Sequence, residues 1–126
     1  MRRKLMAVPV IALTVSAGLM TGADAAAKAK TTVTITAEGT DLSGVVRSPK
    51  PKKCAKDRKV IVFKQVGARG GGDDTKFASD TAGKQGDVYA WSTGNTGTEG
   101  RFYARVRPTA ACKGDTSPTV LAQRND

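Results

Sequence analysis

Apolar residues recur at every second position in several stretches of this chain, and this period constrains the fold more than any other feature. In residues 101–107, Phe102, Ala104 and Val106 alternate with arginine and tyrosine. Such alternation places apolar side chains on one face of a β-strand and polar ones on the other. After the N-terminal segment, no stretch of about ten residues has apolar residues at helical spacing. The pattern therefore predicts an all-β fold.

Short segments with β-strand character follow one another along the chain, and turn residues separate them. They span residues 32–37, 42–46, 60–63, 75–82, 87–93, 101–108 and 119–122. Short strands with turn signals about every eight to twelve residues are typical of a two-sheet sandwich. We therefore predict a seven-stranded antiparallel sandwich, with a small barrel as the alternative.

Three segments carry specific expectations about packing. Residues 60–63 form a continuous apolar run, so we expect a central strand that is covered on both faces. Trp91 and Tyr89 share one face of their strand. Because aromatic residues make up only 5% of the chain, we expect Trp91 to be core and Tyr89 to be partly exposed. Residues 67–74 include four glycines, which predicts a mobile surface loop.

The N-terminal segment has the features of an export signal. Three cations at positions 2–4 precede an apolar run over residues 5–20, and small residues follow at the positions that a signal peptidase inspects. The run is shorter than the roughly twenty residues of a membrane span. We expect cleavage after Ala25, with Ala27 as the alternative, and a secreted, extracellular product with no membrane span. General secretion is favoured over the twin-arginine route.

These features divide the chain into four parts. We predict a signal peptide over residues 1–25, a disordered N-terminal tail over 26–31, a β-sandwich domain over 32–122 and a C-terminal tail over 123–126. We expect the mature domain to be a monomer.

Cys54 and Cys112 are the two cysteines of the chain. Two thiols in a small exported domain most often form a disulfide. The bond would close a loop of 58 residues, for which the chain-entropy model gives about 4 kcal/mol of stabilisation. Two free thiols, or an intermolecular bridge, are the alternatives.

Four segments in order resemble the carboxypeptidase regulatory-like domains, which are prealbumin-like (CnaB-like) modules. They are Leu-Ser-Gly-Val-Val at 42–46, Lys-Val-Ile-Val-Phe at 59–63, Ser-Asp-Thr-Ala-Gly at 79–83 and Gly-Arg-Phe-Tyr-Ala-Arg-Val at 100–106. Ser79 stands where the turn motif of the family has threonine. The resemblance implies that these segments pack a seven-stranded sandwich without catalysis. An immunoglobulin-like sandwich stays open as the alternative, and the cysteine pair resembles a variant found in small secreted bacterial proteins.

The composition excludes several classes of active site. The chain has no histidine, so it cannot form a Ser-His-Asp triad, a Cys-His pair or an imidazole metal site. Two cysteines alone cannot complete a structural zinc site. We therefore predict a protein that is not an enzyme, with no catalytic residue, no metal and no cofactor.

Positive charge is the remaining functional signal. The net charge is +10 for the whole chain and +8 without residues 1–25. The candidate anion-binding surface consists of a loop set, a strand set and Lys113 next to Cys112. Its members are Lys50, Lys52, Lys53, Lys56, Arg58, Lys59, Arg101, Tyr103, Arg105, Arg107 and Lys113. A solvated face that keeps an exported protein soluble would explain the same residues.

Two functions of different classes are compatible with these features. The first is a secreted, non-catalytic binding or surface-associated module whose basic end engages an anionic cell-envelope polymer or an extracellular protein. It would have no specific nucleic acid recognition. The second is an inhibitor of an extracellular hydrolase, with the loop at 67–74 or at 94–100 as its probe. Glycine-rich loops argue against the inhibitor, because a preorganised loop binds more tightly.

Overall fold

Short β-strands account for nearly all the regular structure of residues 27–125, the part of the chain that the computed structural model describes. The strands are β1 (Thr32–Val33), β2 (Thr36–Glu38), β3 (Asp41–Arg47), β4 (Lys59–Lys64), β5 (Thr75–Thr81), β6 (Gly83–Gln85), β7 (Val88–Asn95), β8 (Gly100–Val106), β9 (Asp115–Thr116) and β10 (Val120–Ala122). A helical turn, α1 (Pro51–Cys54), lies between β3 and β4. The predicted signal peptide, residues 1–25, lies outside the described residues.

The strands form two antiparallel sheets. Sheet I has the order β9–β8–β4–β5, and β10 also pairs with β8. Sheet II has the order β1–β3–β7–β6, and β2 also pairs with β3. Every strand pairing is antiparallel. The predicted all-β fold of two antiparallel sheets is therefore confirmed.

The two sheets enclose an apolar core to which both contribute. Trp91 is 2% exposed and lies in this core, as predicted. Tyr89 is also buried, at 8% exposure, so the prediction that it is partly exposed is wrong. Both side chains point inward because they lie two positions apart on β7.

Strand β4 is central, as its continuous apolar sequence predicts. It lies between β5 and β8, and its residues Val60, Ile61 and Val62 are all buried. Val60 and Val62 belong to the core between the sheets, whereas Ile61 lies on the outer side of sheet I beside Arg105. A strand that is covered on both faces explains why no polar residue interrupts this run.

The described residues contain ten strands where the sequence pattern predicts seven. The segment at 32–37 is split into β1 and β2 because Thr34 bonds differently from a regular ladder residue. Its carbonyl accepts the Trp91 indole N–H at 3.1 Å, and its hydroxyl accepts the Val45 amide at 3.0 Å. A second difference lies at Ala82, after which the chain passes from β5 in sheet I to β6 in sheet II.

The residues before β1 belong to the folded domain. The Ala29 amide donates to the Ala111 carbonyl at 3.0 Å, and the Ala29 carbonyl accepts from the Lys113 amide at 2.8 Å. Thr31 is 3% exposed. The prediction of a disordered tail over 26–31 therefore fails for residues 29–31, because backbone pairing with a distant loop leaves no pattern in the local sequence.

Cys54 and Cys112 form the predicted disulfide. The bond joins α1 to the loop that follows β8, and both cysteines are buried. A disulfide of this kind indicates an oxidising environment. None of the helical structure in residues 27–125 has the length and apolar character that a membrane span requires.

Candidate anion-binding surface

A line of positive charge lies on the outer face of sheet I. Ala104 and Val106 are buried in the core, so the alternate side chains of β8 extend outward. The exposed cations on this side include Arg101, Arg105 and Arg107, together with Lys59 at the start of β4. We call these four residues the cationic face. Alternate residues of a strand are roughly 7 Å apart, so the charged groups are regularly spaced.

An aromatic pair lies in the middle of the cationic face. Tyr103 is opposite Phe63 in the strand register, and the two rings stack with centroids 5.4 Å apart. The Arg69 guanidinium lies over the Tyr103 ring, 4.7 Å from its centroid. Because of this cover, Tyr103 is only 8% exposed although it points away from the core. The Tyr103 ring therefore packs against neighbouring cations and leaves little open surface on which a ligand could stack.

The loop over residues 67–74 is held against sheet I. The Asp74 carboxylate accepts the Val66 and Gly70 amides, each at 2.9 Å, and the Tyr103 hydroxyl at 2.6 Å. The Tyr103 hydrogen bond, followed by the two amide bonds, lowers the pKa of Asp74. Burial, and then the same hydrogen bond, raises the pKa of Tyr103. The structure therefore shows anchoring contacts where the glycine content predicts a mobile loop.

A second group of cations lies where the disulfide joins two loops. Lys50, Lys52, Lys53 and Lys56 lie within or next to α1, and Lys113 directly follows Cys112. All five side chains are exposed. We call this group the cationic end. The disulfide between Cys54 and Cys112 brings its two parts together, as the sequence predicts.

Arg58 occupies a different position from the other predicted site residues. It is 6% exposed, and burial lowers its pKa. Its Nη1 donates to the Cys54 carbonyl at 2.8 Å and to the Thr31 hydroxyl at 3.0 Å. Its Nη2 donates to the carbonyls of Arg107 at 2.7 Å and Lys113 at 3.2 Å. From its buried position, Arg58 thus forms hydrogen bonds both with Lys113 of the cationic end and with Arg107, the last residue of the cationic face.

The structure brings the predicted residues together in two adjoining groups. Lys59 and Arg107 are the members of the cationic face nearest the cationic end, because they flank the paired residues Val60 and Val106. Arg101 lies at the opposite end of β8. The candidate surface therefore extends from one end of the sandwich along the outside of sheet I.

Two further cations belong to this surface, and the sequence reasoning did not include them. Lys76 on β5 is exposed and lies opposite Phe63 on β4. Its place in an alternating strand could have indicated this position. Arg69 reaches the surface only through the fold of its loop, and nothing in the local sequence indicates its contact with Tyr103.

The outer face of sheet II is different in character. Leu42, Val46 and Trp91 point into the core, so the intervening residues of β3 and β7 form this face. They and their neighbours on the edge strands include the uncharged residues Thr32, Thr36, Ser43, Val45, Ala90 and Ser92, together with two acids, Glu38 and Asp41, and one cation, Arg47. The positive charge of the domain is therefore concentrated on sheet I and at the cationic end.

Comparisons with protein-family models, with curated proteins and with solved structures give no match for this chain. Within residues 27–125, no group of three or more acidic, cysteine or histidine side chains is placed to hold a metal ion.

Proposed function

We propose that the protein is a secreted, non-catalytic binding module that engages an anionic polymer of the cell envelope, or an acidic extracellular partner, through the cationic face and the cationic end. The observation that carries the proposal is the line of Arg101 and Arg105 on one side of β8, which Arg107 continues directly after the strand. The export signal supports secretion, and the disulfide is consistent with it.

The proposal requires charge at regular spacing, and a β-strand supplies it. Arginine forks form strong hydrogen bonds with phosphate and sulfate groups. An extended anionic polymer that lies along β8 could meet successive guanidinium groups, while release of its counterions would favour binding. A surface that serves only solubility has no need for segregated charge, whereas here the outer face of sheet II has two acids, Glu38 and Asp41, against one cation, Arg47.

The strand order supports an immunoglobulin-like topology as the finer description of the fold. Strands β1 and β2 together form one split edge strand, and so do β9 and β10, which gives eight strands in chain order. Sheet II then has the order first, second, sixth and fifth, and sheet I has the order eighth, seventh, third and fourth. The two sheets match the A–B–E–D and C–F–G orders of immunoglobulin domains, with β5 as an added strand beside C. The resemblance to carboxypeptidase regulatory-like domains is carried by segments that supply core residues here, such as Leu42 and Phe102.

Binding to polymers of different chemistry tests the proposal. Calorimetry at low salt would compare polyphosphate, the carboxylate polymer hyaluronate and neutral dextran. We expect the purified protein to bind polyphosphate and not dextran. Neutralising the face (Arg101→Gln, Arg105→Gln and Arg107→Gln) or the end (Lys50→Gln, Lys52→Gln, Lys53→Gln and Lys56→Gln) should weaken binding.

A control variant that loses the same number of charges as the face variant distinguishes binding by a specific surface from an effect of net charge. Arg47→Gln, Lys84→Gln and Arg124→Gln remove three exposed cations that lie outside the candidate surface. We expect this variant to bind polyphosphate like the unmodified protein. An equal loss of affinity in the control and the face variants, or no binding to any anionic polymer, would overturn the proposal.

A second candidate function is inhibition of an extracellular hydrolase, and the anchored loop over residues 67–74 favours it. Asp74 and Arg69 fix this loop on Tyr103, which reduces the ordering cost that the glycine content implies. Assays against a panel of secreted proteases and glycosidases would test it. Inhibition that is lost in Arg69→Ala would support this function, and absence of inhibition across the panel would exclude it for those enzymes.

A further inference from the structure

A pocket of about 200 Å³ lies where the cationic face meets the cationic end. Its walls include three cations, Arg58, Lys59 and Arg107, and one carboxylate, Asp57. Ile61 and Pro108 add apolar surface. Like charges that converge in a concave site repel one another, and low-dielectric walls strengthen the field there. The pocket therefore favours a bound anion.

Arg58 is unusual for a buried cation because its acceptors are neutral. They are the hydroxyl of Thr31 and the backbone carbonyls of Cys54, Arg107 and Lys113. Desolvation is the cause of its lowered pKa, with no carboxylate contributing. Buried charges in proteins are normally paired, because an uncompensated charge is costly in a low dielectric. The pocket that Arg58 lines is a place where a counter-charge could lie.

Lys59 and Arg107 supply the exposed contacts. They come from adjacent strands next to the pair formed by Val60 and Val106, so their side chains leave the sheet on the same side. The hydrogen bond from Arg58 to the Arg107 carbonyl, at 2.7 Å, fixes the backbone at this position. Two flexible cations thus flank a rigid one, and this arrangement suits an anion with several oxygen acceptors.

We propose that this pocket binds a tetrahedral oxyanion, a phosphate or sulfate group, with Lys59 and Arg107 in direct contact and Arg58 as the buried counter-charge. A group with more than one negative charge gains more than a carboxylate does, because three cations against the single carboxylate of Asp57 leave the lining residues with a net positive charge. The inference rests on the proposed function in one respect, because a polymer that bears such groups is the expected source. Free phosphate is the other source of the same chemistry.

Titration with inorganic phosphate, followed by nuclear magnetic resonance at constant ionic strength, tests the pocket. We expect saturable shifts of the amide signals of residues 57–61, 107 and 109, with sulfate giving the same response. The double variant Lys59→Gln and Arg107→Gln should bind phosphate at least about tenfold more weakly, since it loses two charge-assisted hydrogen bonds. It keeps the Arg107 carbonyl, and its unchanged melting temperature would show that the fold is intact.

The matched control is Arg47→Gln with Lys84→Gln, which removes the same charge from exposed positions on sheet II, whereas the pocket lies on sheet I. We expect it to bind phosphate like the unmodified protein. Shifts that are absent, that chloride reproduces, or that weaken equally in both double variants would overturn the inference and leave Arg58 as a structural residue only.

A parallel titration with polyphosphate distinguishes this inference from the proposed function. Binding of inorganic phosphate without binding of the polymer would overturn the proposed function and keep the pocket. Binding of the polymer without any pocket shift from inorganic phosphate would overturn the pocket and keep the proposed function.

Discussion

The guanidinium of Arg58 joins three separate segments of the chain: the residues before β1, the turn α1 and the loop after β8. Lysine has a single ammonium group and cannot reproduce the fork that spans these acceptors. We therefore expect Arg58→Lys to lower the free energy of unfolding by about 2–3 kcal/mol, since carbonyls are left unpaired. Chemical denaturation measures this loss. The exposed control Lys56→Gln should change stability by less than about 0.5 kcal/mol, and an equally small effect at Arg58 would contradict its role.

Gly44 lies where two sheet strands and the Trp91 ring meet closely. A Cβ at this position would overlap the Thr34 carbonyl and would lie 2.7 Å from the Trp91 indole nitrogen. We expect Gly44→Ala to destabilise the fold by about 1–3 kcal/mol through overpacking. Gly83 is the control, because a Cβ there meets nothing within 4 Å. Equal melting temperatures for the two alanine variants would show that the close approach has no energetic consequence.

The contribution of Asp74 to the stability of the fold depends on pH. Its pKa is lowered in the folded state, so its carboxylate stabilises the fold above the unfolded pKa of about 4. This contribution is lost as the pH falls through the lower folded pKa. We expect Asp74→Asn to lower the melting temperature near neutral pH and the difference from the unmodified protein to shrink in acid.

Melting curves across a pH series, with the exposed residue Asp73→Asn as control, measure this effect. A difference between Asp74→Asn and the unmodified protein that persists unchanged to the lowest pH would contradict the anchoring role of the carboxylate.

Among the structural elements, α1 and the loop after β8 depend most on the disulfide. Cys54 and Cys112 are 58 residues apart, and the closed loop includes the five strands β4–β8. Replacement of both cysteines by alanine should remove about 4 kcal/mol of stability on the chain-entropy model. Denaturation of this variant, and of the unmodified protein with a reductant, would measure the loss. Full stability in the variant would mean that Arg58 and the backbone bonds alone hold the cationic end.

The elements that the sequence predicts well are those whose pattern is local. Strands β4 and β8 carry their own apolar runs or alternation, so their place and their inward faces could be predicted. The split between β1 and β2 depends on the Trp91 hydrogen bond to Thr34, which is 57 positions away, and no local pattern encodes it. Strand β9 has two polar residues, Asp115 and Thr116, and is defined only by its pairing with β8.

The same distinction applies to the candidate surface. The basic residues of the loop predicted the cationic end, and the alternation of β8 predicted the cationic face. The burial of Arg58 could not be predicted, because three of its four acceptors lie 27 to 55 positions away in the chain. The cover over Tyr103 depends on Asp74, 29 residues away, and on Arg69. Local composition therefore locates charge, whereas tertiary contacts decide which charges stay exposed.

The whole molecule is a disulfide-closed sandwich whose two outer faces differ in charge. Sheet II presents neutral residues together with Glu38, Asp41 and Arg47, whereas sheet I and the cationic end present most of the exposed arginines and lysines of residues 27–125. A molecule of this kind would approach an anionic surface with sheet I facing it, since long-range attraction orients a protein with separated charge.

The salt dependence of affinity for a generic polyanion tests this central claim most directly. With a single-stranded oligothymidylate as the probe, the logarithm of the association constant should fall linearly with the logarithm of salt concentration. For the triple variant Arg101→Gln, Arg105→Gln and Arg107→Gln, the account predicts a slope shallower by about 2, since three phosphate contacts are lost. An unchanged slope, or the same change in the control variant Arg47→Gln, Lys84→Gln and Arg124→Gln, would contradict it.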